Sequence, residues 1–226
     1  MEGSLENCLV EWIAGPHGTG LFARYPIRRG SIILAESALF SIPSMDPGWH
    51  NMVIQEYNKL TSDLQNTYLR LRRSSTALKA DLKDHDQWHI LGIFATNAYG
   101  IANDAAAIYP TFSRVNHSCT PNACCRYNAN NGKVEVRAMI DLAPAEEVLI
   151  SYLDEKVLLP AASRSLELNF ACNCLTCHTG IIQEDEASDE NRAKIMTCLD
   201  HVVAQRRLVD QEGSAVEPTV LESGLF

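Results

Sequence analysis

Three cysteines late in the chain have the spacing of a metal site. They stand at Cys172, Cys174 and Cys177, which places three thiols within six residues. A turn can fold such a segment around one ion, and Zn²⁺ is the usual occupant of tetrahedral sites made of thiolates. A fourth ligand must come from elsewhere, and the candidates that spacing alone leaves open are Cys119, Cys124, Cys125, Cys198 and His178. The pattern predicts a structural zinc site with one ligand unassigned.

The segment at 113–123 holds the second group of chemically capable residues. It carries an amide at Asn116, an imidazole at His117 and a thiol at Cys119, and Pro121 disfavours helix at the residue before it. Backbone polar groups left free in such a segment need partners, which a ligand can supply. We interpret this segment as the centre around which the chain wraps.

Two distant stretches are expected to converge on this segment. One is the glycine-rich turn at 15–21, and the other runs from the glutamates at 146–147 through Tyr152 to the cysteine cluster. Glycine permits a close backbone approach to a ligand. A lone Gly-x-Gly is more often a simple turn, and a tyrosine at a strand end is more often a core residue with a satisfied hydroxyl. The order of these weak signals along one chain is what makes them informative.

Composition limits the partners of the chain. Its 226 residues are 46% hydrophobic and carry a formal net charge of -9, which gives no bulk electrostatic reason to bind nucleic acid. Residues 1–6 lack the basic and apolar regions of a signal peptide, and no apolar run approaches the roughly 18 residues that span a bilayer. We therefore expect a reducing compartment, the nucleus or the cytoplasm, where eight cysteines indicate metal ligands or free thiols.

Strands that would position these residues are predicted on both sides of a helical stretch. Short strands are predicted between 9 and 40, with a strand pair over 31–40. A hairpin with a glycine-bearing loop is predicted over 123–138, and a further strand over 147–152. The site residues therefore lie on short strands and on the loops between them.

Helical periodicity occurs in three regions. Apolar residues recur at steps of three and four from Val53 to Leu71, which predicts one helix that begins near Pro47, and a second helix is predicted over about 86–98. The acidic run at 184–190 is interpreted as a solvated linker. A last helix capped by Ser188 and a disordered tail from Gly213 are expected to follow.

The order of four motifs resembles that of SET-domain protein-lysine methyltransferases. The motifs are Gly-x-Gly-Leu-Phe-Ala from Gly18, Asn-His-Ser-Cys-x-Pro-Asn from Asn116, Glu-Glu-x-x-x-Ser-Tyr up to Tyr152 and Phe-x-Cys-x-Cys-x-x-Cys from Phe170. The likeness is to fungal-type relatives of the SET-and-MYND branch that lack the MYND finger, because no cysteine lies between Cys8 and Cys119. The resemblance covers roughly 10–180.

The resemblance implies a mixed α+β fold. It implies small curved sheets around a pseudoknot, with a helical insert at about 45–103 inside a SET domain that spans 1–160. A post-SET zinc-binding loop would span 161–180. The acidic linker, C-terminal helix and disordered tail would then occupy 181–226.

The resemblance also implies a role for each site residue. S-adenosyl-L-methionine would contact His17, Gly18, Gly20, Asn97, Asn116, His117 and Phe170. Among these, His117 would act through its backbone and Phe170 would shield the adenine ring. Tyr152 matches the active-site tyrosine of the family. The structural Zn²⁺ would be held by Cys119, Cys172, Cys174 and Cys177.

The function that the resemblance implies is methyl transfer from S-adenosyl-L-methionine to a lysine amine of a protein substrate, histone or non-histone. A monomer without nucleic-acid or membrane partners is expected. Ala145, Leu168 and Thr19 depart from the residues usual in the family, so the alternative is a catalytically weak SET module that binds cofactor or a partner. Zinc-dependent hydrolysis is a third hypothesis, but it needs an open metal position, which four thiolates do not leave.

Overall fold

The structure of the chain is a computed structural model that describes residues 8–12, 19–73, 85–102, 104–168, 170–177 and 182–213. The chain forms two compact units, Met1–Tyr152 and Leu153–Phe226. The described part of the first unit carries all of the described strands, three α-helices and a 3-10 helix (Phe112–Arg114), and that of the second unit carries two further α-helices and a second 3-10 helix.

The strands of the first unit are short and form four small sheets. In chain order they are β1 (Cys8–Trp12), β2 (Thr19–Ala23), β3 (Ile32–Ser37), β4 (Phe40–Ile42), β5 (Tyr99–Gly100), β6 (Ala106–Ile108), β7 (Asn116–His117), β8 (Ala123–Asn128), β9 (Lys133–Ala138) and β10 (Leu149–Ile150). β1 pairs with β2, β7 pairs with β10 in parallel, β9 lies between β3 and β8, and β6 lies between β4 and β5. The expected mixed α+β fold with small sheets is confirmed.

The predicted hairpin is β8 and β9. Asn128 pairs with Lys133 across the loop, and Gly132 has a φ of 69°, a left-handed conformation that glycine adopts without strain. Along β9 the side chains of Val134, Val136 and Ala138 are buried, as expected for residues two apart on one face.

The strand pair predicted over 31–40 is wrong, because its two strands belong to different sheets. β3 pairs with β9, whereas β4 pairs with β6. Between them the Leu39 N–H donates to the Ile108 carbonyl at 2.7 Å, which extends the β4–β6 pairing. Local propensity marks a strand but does not select its partner.

The single helix predicted from Pro47 to Leu71 is two helices, α1 (Trp49–Asn58) and α2 (Ser62–Leu69). The break falls at Thr61, whose extended backbone (φ -64°, ψ 158°) begins a new helix with a residue type common at that position. The apolar face continues across the break, since Val53, Tyr57, Tyr68 and Leu71 are all buried. The second predicted helix is confirmed as α3 (His85–Asn97).

Two clusters of buried side chains stabilise the first unit. The cluster beneath the small sheets includes Leu21, Leu34, Val115, Val136 and Ile150. The cluster among α1, α2, α3 and β4 includes Ile42, Val53, Tyr68, Phe94 and Ile108. The first cluster supports β2, β7 and β10, the strands that carry the candidate site.

The described part of the second unit contains a 3-10 helix (Asp154–Leu158) and two α-helices, α4 (Ala161–Leu168) and α5 (Ile182–Gly213). The linker predicted over 184–190 is wrong, because these residues lie inside α5, and Ser188 is therefore not a cap. Glu and Ala are strong helix formers. The tail predicted after Gly213 lies outside the described residues.

Candidate cofactor and metal site

Asn116 lies where separate segments of the first unit meet. In the parallel pairing of β7 with β10, Asn116 lies opposite Leu149. Its side-chain Nδ2 donates to Glu147 Oε1 at 2.7 Å and to the Thr19 carbonyl at 3.3 Å. Both amide hydrogens are thereby used, so the Asn116 side chain can offer a ligand only its Oδ1 acceptor. As expected, Thr19, at the end of the glycine-rich turn, and Glu147, in the segment that leads to Tyr152, both lie close to Asn116.

Gly20 permits this close approach. A Cβ added at Gly20 would fall against Glu147 Oε1, 3.0 Å from Phe22 Cε2 and 3.1 Å from Asn116 Nδ2. The strand is held there because the Val148 N–H donates to the Leu21 carbonyl at 2.7 Å. Absence of a side chain at Gly20 is therefore a requirement of the packing around Asn116.

The turn that precedes Glu147 contains a strained residue. Ala145 has a φ of 64°, a conformation that costs a residue with a Cβ about 1–2 kcal/mol. The Ala145 N–H donates to the Ala23 carbonyl at 2.7 Å, and the Ala23 N–H donates to the Glu146 carbonyl at 2.8 Å. These two bonds hold the turn against β2.

Asn122, the last residue of the Asn-His-Ser-Cys-x-Pro-Asn motif, holds the chain at the start of β10. Its Nδ2 donates to the Glu147 carbonyl at 2.8 Å, and its Oδ1 accepts from the Leu149 N–H at 2.8 Å. The side chain is buried, with 8% of the residue exposed. Asn122 therefore fixes the backbone that carries Glu147.

Tyr152 follows β10 and is anchored at two points. Its hydroxyl donates to the Val115 carbonyl at 2.6 Å, and its backbone N–H donates to His117 Nδ1 at 3.0 Å. Desolvation of the hydroxyl raises its pKa to about 12, although 48% of the residue is exposed. The charge of Arg72 opposes this rise, and that of Glu147 adds to it. The phenol therefore stays protonated at neutral pH and keeps its oxygen lone pairs available as acceptors.

Asn97 lies at the end of α3 and binds the backbone of a neighbouring segment. Its Nδ2 donates to the carbonyls of Arg72 and Ile93, each at 2.7 Å. Because both amide hydrogens are used, Asn97 also offers a ligand only its Oδ1 acceptor. The same bond holds the backbone of Arg72, the residue whose charge acts on the Tyr152 hydroxyl.

Three cysteine sulfurs of the second unit form a cluster. The Sγ atoms of Cys172, Cys174 and Cys177 lie within 4.8 Å of one another, and Cys119, the fourth predicted ligand, belongs to the first unit. Sulfurs bound to a tetrahedral Zn²⁺ at about 2.3 Å are about 3.8 Å apart, so these residues fit the ion. Burial raises the pKa of Cys172 to about 11, which means that a nearby cation is needed to make its thiolate stable at neutral pH.

Arg164 of α4 lies beside this cluster and is fully buried. Its Nη2 donates to Cys177 Sγ at 3.1 Å, and its Nη1 lies 3.3 Å from Asp189 Oδ1 of α5. Asp189 also accepts from the N–H of Ala161, the first residue of α4, at 3.0 Å. Four thiolates around Zn²⁺ carry a net double negative charge, and a buried guanidinium offsets part of it.

The remaining predicted residues are placed as follows. His17 and Gly18 lie outside the described residues. Phe170 belongs to the second unit and is 43% exposed.

Sequence reasoning did not assign a role to Glu147 or Arg164. The paired glutamates before a strand were a usable signal for Glu147, whereas a single arginine before the cysteine cluster carries no local signature.

Comparison with known proteins identifies the family. The model of the SET domain family matches residues 18–153 of this chain, which is more than half of its length. The chain belongs to the SET-domain family. The matched range of this SET-domain protein contains Gly20, Asn116 and Tyr152.

Curated relatives of this SET-domain protein are named as lysine methyltransferases. The N-lysine methyltransferase SMYD2-B of Danio rerio is 36% identical over 110 residues, 44% of this chain and 24% of the relative. The N-lysine methyltransferase SMYD2 of Homo sapiens is 28% identical over 186 residues, 75% of this chain and 40% of the relative. The histone-lysine N-methyltransferase set5 of Schizosaccharomyces pombe is 25% identical over 205 residues, 87% of this chain and 58% of the relative. The chain thus matches between about a quarter and three fifths of the length of these relatives.

Among the described residues, no helix is both long and apolar enough to cross a membrane.

Proposed function

We propose that this SET-domain protein transfers a methyl group from S-adenosyl-L-methionine to the side-chain amine of a lysine in a protein substrate. The observation that carries the proposal is the meeting of Gly20, Asn116 and Glu147 within the matched SET domain, in the same unit as Tyr152. The lysine specificity is supported by the names of the curated relatives. A histone or another protein is the proposed acceptor, in the nucleus or the cytoplasm.

The proposed cofactor site is made of acceptors and an open backbone. Asn116 and Asn97 each present an Oδ1 acceptor, which suits the ammonium group and the adenine amino group of the cofactor. Gly20 lets the Glu147 carboxylate reach Asn116, because a Cβ at Gly20 would fall against Glu147 Oε1. We assign His17, Gly18, the backbone of His117 and Phe170 to the same site on the resemblance to the family. Bound S-adenosyl-L-methionine supplies a methyl group already activated by its sulfonium.

Tyr152 is the proposed catalytic residue. Its hydroxyl donates to the Val115 carbonyl, so its oxygen lone pairs can accept from the lysine amine or from the polarised methyl C–H groups. The amine must be neutral to attack, and burial in an apolar channel lowers its pKa. The main contribution of the protein to the rate is therefore to align the amine with the sulfur–methyl bond of the cofactor.

Cys119, Cys172, Cys174 and Cys177 are the proposed ligands of one Zn²⁺. The proximity of the three sulfurs in the second unit and the guanidinium beside Cys177 support this assignment, and Cys119 is assigned on the resemblance to the family. Four thiolates complete a tetrahedral site, so the ion has no open position for water or substrate and its role is structural.

Incubation of the purified chain with radiolabelled S-adenosyl-L-methionine and core histones or cell lysate tests the proposal. We expect label on lysine after hydrolysis of the acceptor protein. A Tyr152→Phe variant should lose about 100- to 1000-fold in kcat, as expected when a donor or acceptor at a reacting centre is removed. The matched control is Tyr25→Phe, since Tyr25 is 52% exposed at the surface. Cofactor binding without any labelled lysine would refute methyl transfer and favour the cofactor-binding module considered from the sequence.

A further inference from the structure

The imidazole of His117 contacts two functional residues from opposite sides of its ring. Its Nδ1 accepts from the Tyr152 N–H at 3.0 Å, and its Nε2 lies 3.3 Å from Cys119 Sγ. Only 5% of the residue is exposed, and its ring is tilted against the Tyr152 ring with centroids 5.3 Å apart. The imidazole thus lies between a proposed zinc ligand and the proposed catalytic residue.

The contact with Tyr152 decides which ring nitrogen carries the proton. A backbone N–H can only donate, so Nδ1 must present a lone pair. The neutral imidazole then carries its proton on Nε2, which donates to Cys119 Sγ. Hydrogen bonds of this kind orient metal ligands and stabilise the thiolate form.

We propose that His117 is a positioning residue that holds the Cys119 sulfur and the Tyr152 backbone at the same time. The proposal rests on the proposed function, because it takes Cys119 as a zinc ligand and Tyr152 as the catalytic residue. It adds a role for the His117 side chain to the backbone role implied by the family resemblance. The metal fixes the position of the Cys119 sulfur, and the two hydrogen bonds of the His117 ring then help to fix the backbone of Tyr152, which orients the lysine amine.

The geometry allows the two contacts to be separated by substitution. The Oδ1 of an asparagine lies about as far along the side chain as Nδ1 of histidine, so His117→Asn keeps the acceptor for Tyr152 and removes the donor to Cys119. The amide nitrogen of a glutamine reaches about as far as Nε2, so His117→Gln keeps the donor to Cys119 and removes the acceptor for Tyr152. His201→Asn, at an exposed position of α5, is the matched control.

The first measurement is zinc affinity, obtained by competition with a chromogenic chelator. We expect His117→Asn to bind zinc about 10- to 100-fold more weakly, as is typical when a hydrogen bond to a metal ligand is lost. His117→Gln and His201→Asn should bind zinc like the unaltered chain. Equal losses in the asparagine and glutamine variants, or no loss in either, would overturn the proposal.

The second measurement is steady-state kinetics at saturating zinc. His117→Gln should lower kcat about 10- to 100-fold with an unchanged KM for S-adenosyl-L-methionine, because Tyr152 is displaced while the cofactor contacts remain. His117→Asn should lose less kcat than His117→Gln, because it keeps the acceptor for the Tyr152 N–H, and His201→Asn should keep its kcat. A loss of kcat in the asparagine variant with none in the glutamine variant would contradict the assignment. If the unaltered chain binds zinc but transfers no methyl group, the proposed function fails, and the zinc affinities alone still decide the role of His117.

Discussion

Gly20→Ala is the substitution that probes the proposed cofactor site most directly. The new Cβ would occupy the space of Glu147 Oε1, which accepts from Asn116 Nδ2 at 2.7 Å. The carboxylate has to move, and Asn116 then loses the partner that sets the orientation of its amide. We therefore expect the variant to fold but to bind S-adenosyl-L-methionine more weakly.

The size of the effect follows from that hydrogen bond. A hydrogen bond to a charged group is worth about 1.5–3 kcal/mol. At about 1.4 kcal/mol for each factor of ten, losing the orientation of Asn116 should weaken cofactor binding by about 10- to 150-fold. The main chain at Gly20 keeps its β2 pairing with Glu11, so the fold itself should survive.

Calorimetric titration with S-adenosyl-L-methionine measures this change. The matched control is Gly100→Ala, because a Cβ at Gly100 meets nothing within 4 Å. We expect the control to bind the cofactor like the unaltered chain. If Gly20→Ala binds as tightly as Gly100→Ala, then Glu147 and Gly20 do not set the orientation of Asn116 and the reasoning fails.

Two further predictions concern the metal cluster and the turn before Glu147. Arg164→Met removes the guanidinium beside Cys177 and should weaken zinc binding about tenfold in a chelator competition. Arg28→Met, at an exposed turn, is the control and should bind zinc like the unaltered chain. Equal zinc affinities in the two variants would show that Arg164 does not stabilise the cluster. Ala145→Gly relieves the strain of a φ of 64° and should raise the melting temperature by about 2 °C. This corresponds to a net stabilisation of about 0.5–1 kcal/mol, because the glycine also increases the conformational entropy of the unfolded chain. Ala129→Gly, the control, should lower the melting temperature, and a lower melting temperature for Ala145→Gly would mean that the turn is not strained.

Much of the fold could be predicted from local patterns. The hairpin of β8 and β9 follows from two strand-prone runs around a glycine-bearing loop, and α3 follows from an apolar period of three to four residues. Both features depend on residues close in sequence. The family was also predictable, because the order of motifs from Gly18 to Cys177 is carried by residue types and spacing alone.

The errors arose where distant contacts decide the structure. The strands within 31–40 pair with β9 and β6, which their own residues cannot specify. The acidic run at 184–190 is typical of a linker by composition, yet it is helical in α5, and Asp189 within it binds the first residue of α4 and Arg164. Composition alone does not show whether an acidic side chain such as Asp189 is solvent-exposed or forms an ion pair.

By itself the sequence determined the chemistry that the chain can offer: thiols spaced for a metal, a glycine turn, a motif with Asn116 and Cys119, and a tyrosine after two glutamates. Only the tertiary structure decided which of these meet. It brings Asn116 to Glu147 and to the Thr19 carbonyl, and it places the imidazole of His117 between Cys119 and Tyr152. The reason is physical: residue type sets what a side chain can bond to, but the distance between two groups far apart in the chain depends on strand pairing and core packing as a whole.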